Sequence, residues 1–65
     1  MNKTLFDLKV KECGLKFNYI AKSLGITNEA LIKKRNGIIP FKVPEVKLLK
    51  DILNLSCSEI DKIFF

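Results

Sequence analysis

The stretch Phe17–Gly37, FNYIAKSLGITNEALIKKRNG, constrains the fold of this chain more than any other. Its apolar positions Ile20, Ala21, Leu24, Ile26 and Leu31 are grouped around a single glycine, Gly25. Gly25 can take φ > 0 where the chain must reverse. The small side chain of Ala21 lets a following helix approach closely, and Leu24, Ile26 and Leu31 seal the angle between the two helices. Two helices crossing at roughly 90–120° through a short glycine-containing turn form a helix-turn-helix unit. The unit is expected at about residues 17–36, with its turn at Leu24-Gly25-Ile26.

The rest of the chain reads as three more helices. Residues 3–13 predict helix one, capped by Asn2 or Thr4, with Phe6, Val10 and Cys13 on one face, Leu5 and Leu8 widening it, and Gly14 at the stop. Helix two, about Phe17–Leu24, has a poor cap in Lys16 and Phe17, which leaves free N–H groups able to attract an anion. Tyr19 on this helix reads as a partly buried packing residue, with a phosphate contact through its hydroxyl as the alternative. Helix three, about Asn28–Arg35, starts on Thr27 or Asn28 and stops at Asn36-Gly37. Pro40 and Pro44 exclude a regular helix through IIPFKVP, where Phe41 and Val43 are expected to anchor the loop to the core. Helix four starts near Pro44, with Glu45 in its first turn and Val46, Leu49, Ile52 and Leu53 inward. Ser56 and Glu59 make an S-x-x-E capping box for helix five, whose apolar face is Ile60, Ile63 and Phe64. One terminal phenylalanine closes the core; the other meets a second subunit or stands exposed at a frayed end.

At 65 residues and 48% apolar content this is one domain, residues 1–65, with one small helical core. A chain of this size buries only about 60% of its unfolded surface, so each core contact matters. No apolar run is long enough for a membrane span, and MNKTLFDLKVKE lacks the apolar region of a signal peptide, so a cytoplasmic protein is expected. Cys13 and Cys57 would stay reduced there and read as two small buried hydrophobes, with a disulfide or redox switch as the alternative. There is no histidine, no CxxC and no nucleotide-binding glycine motif. That removes the commonest general base and zinc ligand, and no enzyme, cofactor, metal or small-molecule substrate is expected. The net charge is +5, and the excess is local. Residues 16–42 carry Lys16, Lys22, Lys33, Lys34, Arg35 and Lys42 against Glu29 alone, whereas the flanking segments are nearly balanced. A basic stripe on such a unit is the electrostatic footprint of nucleic-acid binding; taken alone it also fits a lysine-rich solvated surface.

Ile20-Ala21, Leu24-Gly25-Ile26-Thr27, Leu31 and Asn36-Gly37 resemble the helix-turn-helix of the phage repressor/Cro (Xre) family. Lys33-Lys34, Phe41, Glu45, Ile52-Leu53 and Ile63-Phe64-Phe65 extend the likeness to the short Cro-like regulators of Gram-positive phages and mobile elements. The resemblance implies an all-α, five-helix bundle of the lambda-repressor-like DNA-binding type. It also implies a sequence-specific transcriptional regulator in a bacterial cytoplasm, a repressor bound as a weak homodimer to an inverted-repeat operator in double-stranded DNA. Helix three would read the major groove, with Asn28, Glu29, Ile32 and Lys33 at base edges. Lys33 suits guanine, Asn28 adenine, Glu29 cytosine and Ile32 thymine methyl groups, although Ile32 also fits the core beside Leu31. Lys16, Asn18, Thr27, Lys34, Asn36 and Lys42 would hold phosphates; Lys34 stands where many family members are apolar, and its stem could instead lie over the core edge. The family often has a polar phosphate contact where this chain has Phe17, which leaves that role to Lys16 and Asn18. Two other readings keep the fold: a protein-binding accessory regulator such as an antirepressor or antitoxin, suggested by Ile38, Ile39 and Phe65, and a non-specific or architectural DNA binder.

Overall fold

The computed structural model describes all 65 residues, Met1–Phe65. It is all-helical: α1 Lys3–Glu12, α2 Phe17–Leu24, α3 Asn28–Arg35, α4 Val43–Ile52 and α5 Cys57–Phe64. Local chemistry explains each boundary. Asn2 caps α1 by accepting the Leu5 N–H at 3.1 Å. Thr27 caps α3 by accepting from Ala30 N at 3.1 Å. Ser56 and Glu59 exchange hydrogen bonds of 3.1 and 3.0 Å, completing the expected box at α5. α2 has no side-chain cap, as Lys16 implied. α4 begins one residue before the expected Pro44. Lys42 cannot return a cap bond, but its N–H donates to Glu45 Oε1 at 2.8 Å, which holds the first turn.

Gly25 lies at φ +72° between α2 and α3, and its N–H closes α2 on the Lys22 carbonyl. No atom would obstruct a side chain there, so a substitution meets backbone strain alone. Gly25→Ala is therefore expected to lower stability by about 1–2 kcal/mol, the left-handed penalty of an L-residue. Gly25→Asn should lose less, because asparagine tolerates this region; Asn54 already occupies it at φ +51°. Urea denaturation of the two variants checks the order.

The core is one cluster: Phe6 and Val10 of α1, Ile20 and Ala21 of α2, Leu31 of α3, Leu49 of α4, Leu53 and Leu55 after it, and Ile63 of α5. Phe6, Ile20, Leu31, Leu49 and Ile63 are fully buried. Four phenylalanines run through the molecule as a chain, Phe17 to Phe6, Phe6 to Phe41 and Phe41 to Phe64, with ring centroids 6.2, 6.1 and 5.5 Å apart. α2 packs on α3 and α4, while α1 packs on α5. The α1–α5 contact is antiparallel: Asn2 N–H donates to the Ile63 carbonyl at 2.6 Å, and Lys9 pairs with Glu59 further along.

Several expected core residues lie outside it. Leu8, Tyr19 and Val43 are exposed. Val43 belongs to the first turn of α4, so its side chain is no longer part of the loop that Phe41 pins down. Cys13 and Cys57 are exposed free thiols rather than small buried hydrophobes. Each sits at a helix end, Cys13 capping α1 and Cys57 opening α5, where the core face has run out. Of the final pair, Phe64 packs on Phe41 and the core, and Phe65 is 91% exposed.

Candidate nucleic-acid interface

The α2–turn–α3 unit stands on three buried side chains. Ile20 and Ala21 hold α2 down, and Leu31 holds α3. Ala21 is 2% exposed, so a larger residue there would push the two helices apart. With Leu31 inward, helical periodicity leaves two adjacent i, i+4 pairs away from the core: Asn28 with Ile32, and Glu29 with Lys33. All four are exposed. Ile32 is 42% exposed, so of its two readings the core-packed one is not adopted.

Asn28 does not stand free. Its amide donates to Asn18 Oδ1, joining the starts of α2 and α3 across the turn. The second N–H of Asn28, its carbonyl oxygen and both N–H groups of Asn18 remain open for other partners. The pairing limits the rotamers of Asn28 before any ligand arrives, the sort of support that a precise contact residue needs. Sequence reasoning selected both residues but not their contact, because ten positions separate them with no periodicity to link them.

The expected phosphate contacts divide. Lys16, Asn18, Thr27, Asn36 and Lys42 are exposed, and neither Lys16 nor Lys42 is in an ion pair. Thr27 Oγ1 accepts the cap bond and keeps its hydroxyl proton to donate. Asn36 Oδ1 accepts from Arg35 Nη1 at 3.2 Å, with its amide N–H groups open. Lys34 is the correction. Only 6% exposed, it places its ammonium 2.5 and 2.6 Å from the two oxygens of Glu45, which is 8% exposed, and 5.9 Å from the centre of the Phe41 ring. A buried ammonium satisfied by a carboxylate is not a surface cation, so Lys34 drops out of the contact set.

Arg35 is likewise internal to the structure. Its guanidinium forms a two-pronged pair with Asp7, Nε lying 2.6 Å from Oδ1, and lies over the Phe17 ring at 5.5 Å. This accounts for an aromatic residue at the start of α2: Phe17 packs on Phe6 and supports Arg35 from α3. The Arg35 hydrogen bonds hold the Asp7 carboxyl below its ordinary range, and Asp7 in turn raises the guanidinium. After these pairings the free charge near α3 comes from Lys16, Lys22, Lys33 and Lys42 against Glu29.

Comparison of the chain with family models, with curated proteins and with solved structures finds no match in any of the three. No helix is long and apolar enough to cross a membrane.

Proposed function

We propose that this protein is a sequence-specific double-stranded DNA-binding regulator, a Cro-like repressor that reads the major groove with α3. The observation that carries the reading is the outward face of α3. An exposed isoleucine lies among Asn28, Glu29 and Lys33, and three lysines have no acidic partner: Lys33 on α3, Lys16 at the start of α2 and Lys42 at the start of α4. Ile32 in this setting suits a duplex, because thymine offers a methyl group there. Eight residues of helix span about 12 Å, and a helix of this diameter fits a groove about 12 Å wide. In this reading Lys33 donates to guanine, Asn28 pairs with adenine and Glu29 accepts from cytosine. Lys16, Asn18, Thr27, Asn36 and Lys42 fix the register on phosphates. A weak homodimer on an inverted repeat, at a promoter of a phage or mobile element, is part of the same proposal and rests on the resemblance.

Selection from a random duplex library at about 0.15 M salt tests it, since distant surface charges are screened there. Enrichment of an inverted repeat with half-sites about 10 base pairs apart is the expected result. Salt-sensitive binding without enrichment would mean an architectural binder, and no binding would refute the proposal. On the selected site, Lys33→Ala should cost about 1–3 kcal/mol and relax the preference at one base position. Lys42→Ala should instead weaken all duplexes about equally and reduce the salt slope by about 1. Binding titrations on selected and random duplexes at several salt concentrations separate the two; a Lys33→Ala protein indistinguishable from wild type would refute the base-contact role.

A further inference from the structure

The structure holds one sizeable cavity, and it is not on the outward face of α3. It is an open groove of about 520 Å³ between the loop after α3, the start of α4 and the end of α5. Ile39, Pro40, Phe41, Val46, Phe64 and Phe65 give it apolar walls. Val43, also in the lining, is 70% exposed, and the neighbouring Ile38 is 69% exposed. No acidic side chain lines it, whereas two lysines do. Lys34 is neutralised by Glu45. Lys47 is exposed and has no acidic partner.

We infer that this groove docks an acidic amphipathic helical segment of a partner protein. Three observations select that occupant. The groove carries an exposed, uncompensated Lys47 and no acidic side chain, which is complementary to a carboxylate flanked by apolar side chains, and such pairing fixes orientation at a largely apolar contact. The groove is open, and the exposed side chain of Ile38 follows its lining residue Gly37 in the chain, which suits the apolar face of a helix laid along it. A second copy of this chain is disfavoured by charge. Each copy carries +5 overall, and a two-fold contact through the groove would bring the two Lys47 side chains towards one another.

The inference does not rest on DNA binding, since a failed duplex selection leaves the groove and its lysine unchanged. The test is selection from a displayed library of random peptides of about 16 residues, enough for four helical turns, against the intact chain. Enriched peptides should place Leu, Ile, Met or Phe at i, i+3, i+4 and i+7, with Asp or Glu beside them. Binding should fall about tenfold or more for Lys47→Glu and for Val43→Asp, and survive in Lys47→Arg and Lys22→Glu. Both altered positions retain solvent access, and unchanged circular dichroism would confirm that these variants fold. No enrichment, enrichment of peptides without acidic residues, or equal weakening by Lys22→Glu, which lies off the groove, would overturn the proposal. Sedimentation showing a dimer that Val43→Asp dissociates would also overturn it, by assigning the groove to a second copy.

Discussion

Glu45→Ala is expected to lower the folding free energy by about 3 kcal/mol, the lower end of the range for a buried ion pair broken on one side. The change leaves the Lys34 ammonium in a site 6% exposed, with Phe41 as its only remaining electrostatic partner, and removes the acceptor for Lys42 N–H at the start of α4. The lower end applies because Lys34 also lines the groove, so its ammonium has a short route to water. Lys34→Met with Glu45→Met should recover much of the loss, since apolar replacement of both members removes the stranded charge. Urea denaturation of the single and double variants makes the measurement, and a Glu45→Ala protein within 1 kcal/mol of wild type would show that the pair is not a stabilising unit.

The same pair gives a pH dependence with a definite sign. Burial pushes the Glu45 carboxyl up, but the Lys34 hydrogen bonds, the Lys42 N–H and the two lysine charges more than offset this and hold it below its ordinary value of 4.5. Asp7 is lowered by Arg35, and Glu59 by Lys9 and the Ser56 N–H. A carboxyl with a lower pKa in the folded state contributes stability above its unfolded value, and the contribution is lost as pH falls through the folded value. Lys9 and Arg35 are raised, so their contributions persist below the unfolded values and are lost only on strong alkalinisation. With no histidine, Tm should be flat between about pH 6 and 8 and fall below about pH 4.

Phe6→Ala is the largest single loss expected, about 3–5 kcal/mol. Phe6 is fully buried and stands between Phe17 and Phe41, so its removal leaves a cavity where α1, α2 and the loop after α3 meet. A domain of this length has roughly 3–10 kcal/mol in total, at about 0.05–0.15 kcal/mol per residue. Phe6→Ala should therefore lose a large fraction of its stability and melt at a much lower temperature, with Phe6→Leu less affected because it keeps more of the volume. Thermal and urea melts decide this, and a cooperative Phe6→Ala transition close to wild type would show that the aromatic chain is not the centre of the core.

What could be read from sequence follows the range of each signal. The helices, the glycine stops and the Ser56–Glu59 box depend on neighbours three or four residues away, and the chain adopts them as expected. Apart from the i, i+3 pair Lys9–Glu12, the ion pairs join residues that no local pattern connects: Asp7 with Arg35, Lys9 with Glu59, Lys34 with Glu45. That is why Lys34 read as a phosphate contact when its partner was out of sight. Exposure at helix ends was the other difficulty. Cys13, Val43 and Cys57 have apolar chemistry, but each lies where a helix begins or stops and the core is no longer beneath it. For the candidate interface, the outward positions of α3 followed from placing Leu31 inward, whereas the Asn18–Asn28 bond and the groove beside Lys47 required the folded chain.

The five helices are only eight or ten residues long. Isolated helices under about 12–15 residues are marginal in water even with favourable composition. None of these segments can therefore keep its shape when cut from the others, and α3 is not a portable unit. A peptide copying Asn28–Arg35 would lose the fixed spacing of Asn28, Ile32 and Lys33, and grafting those side chains elsewhere would require a host that supplies Leu31 with a comparable seat. Cleavage within any one loop that released a helix should abolish the α3 surface and the groove together, whichever loop is cut.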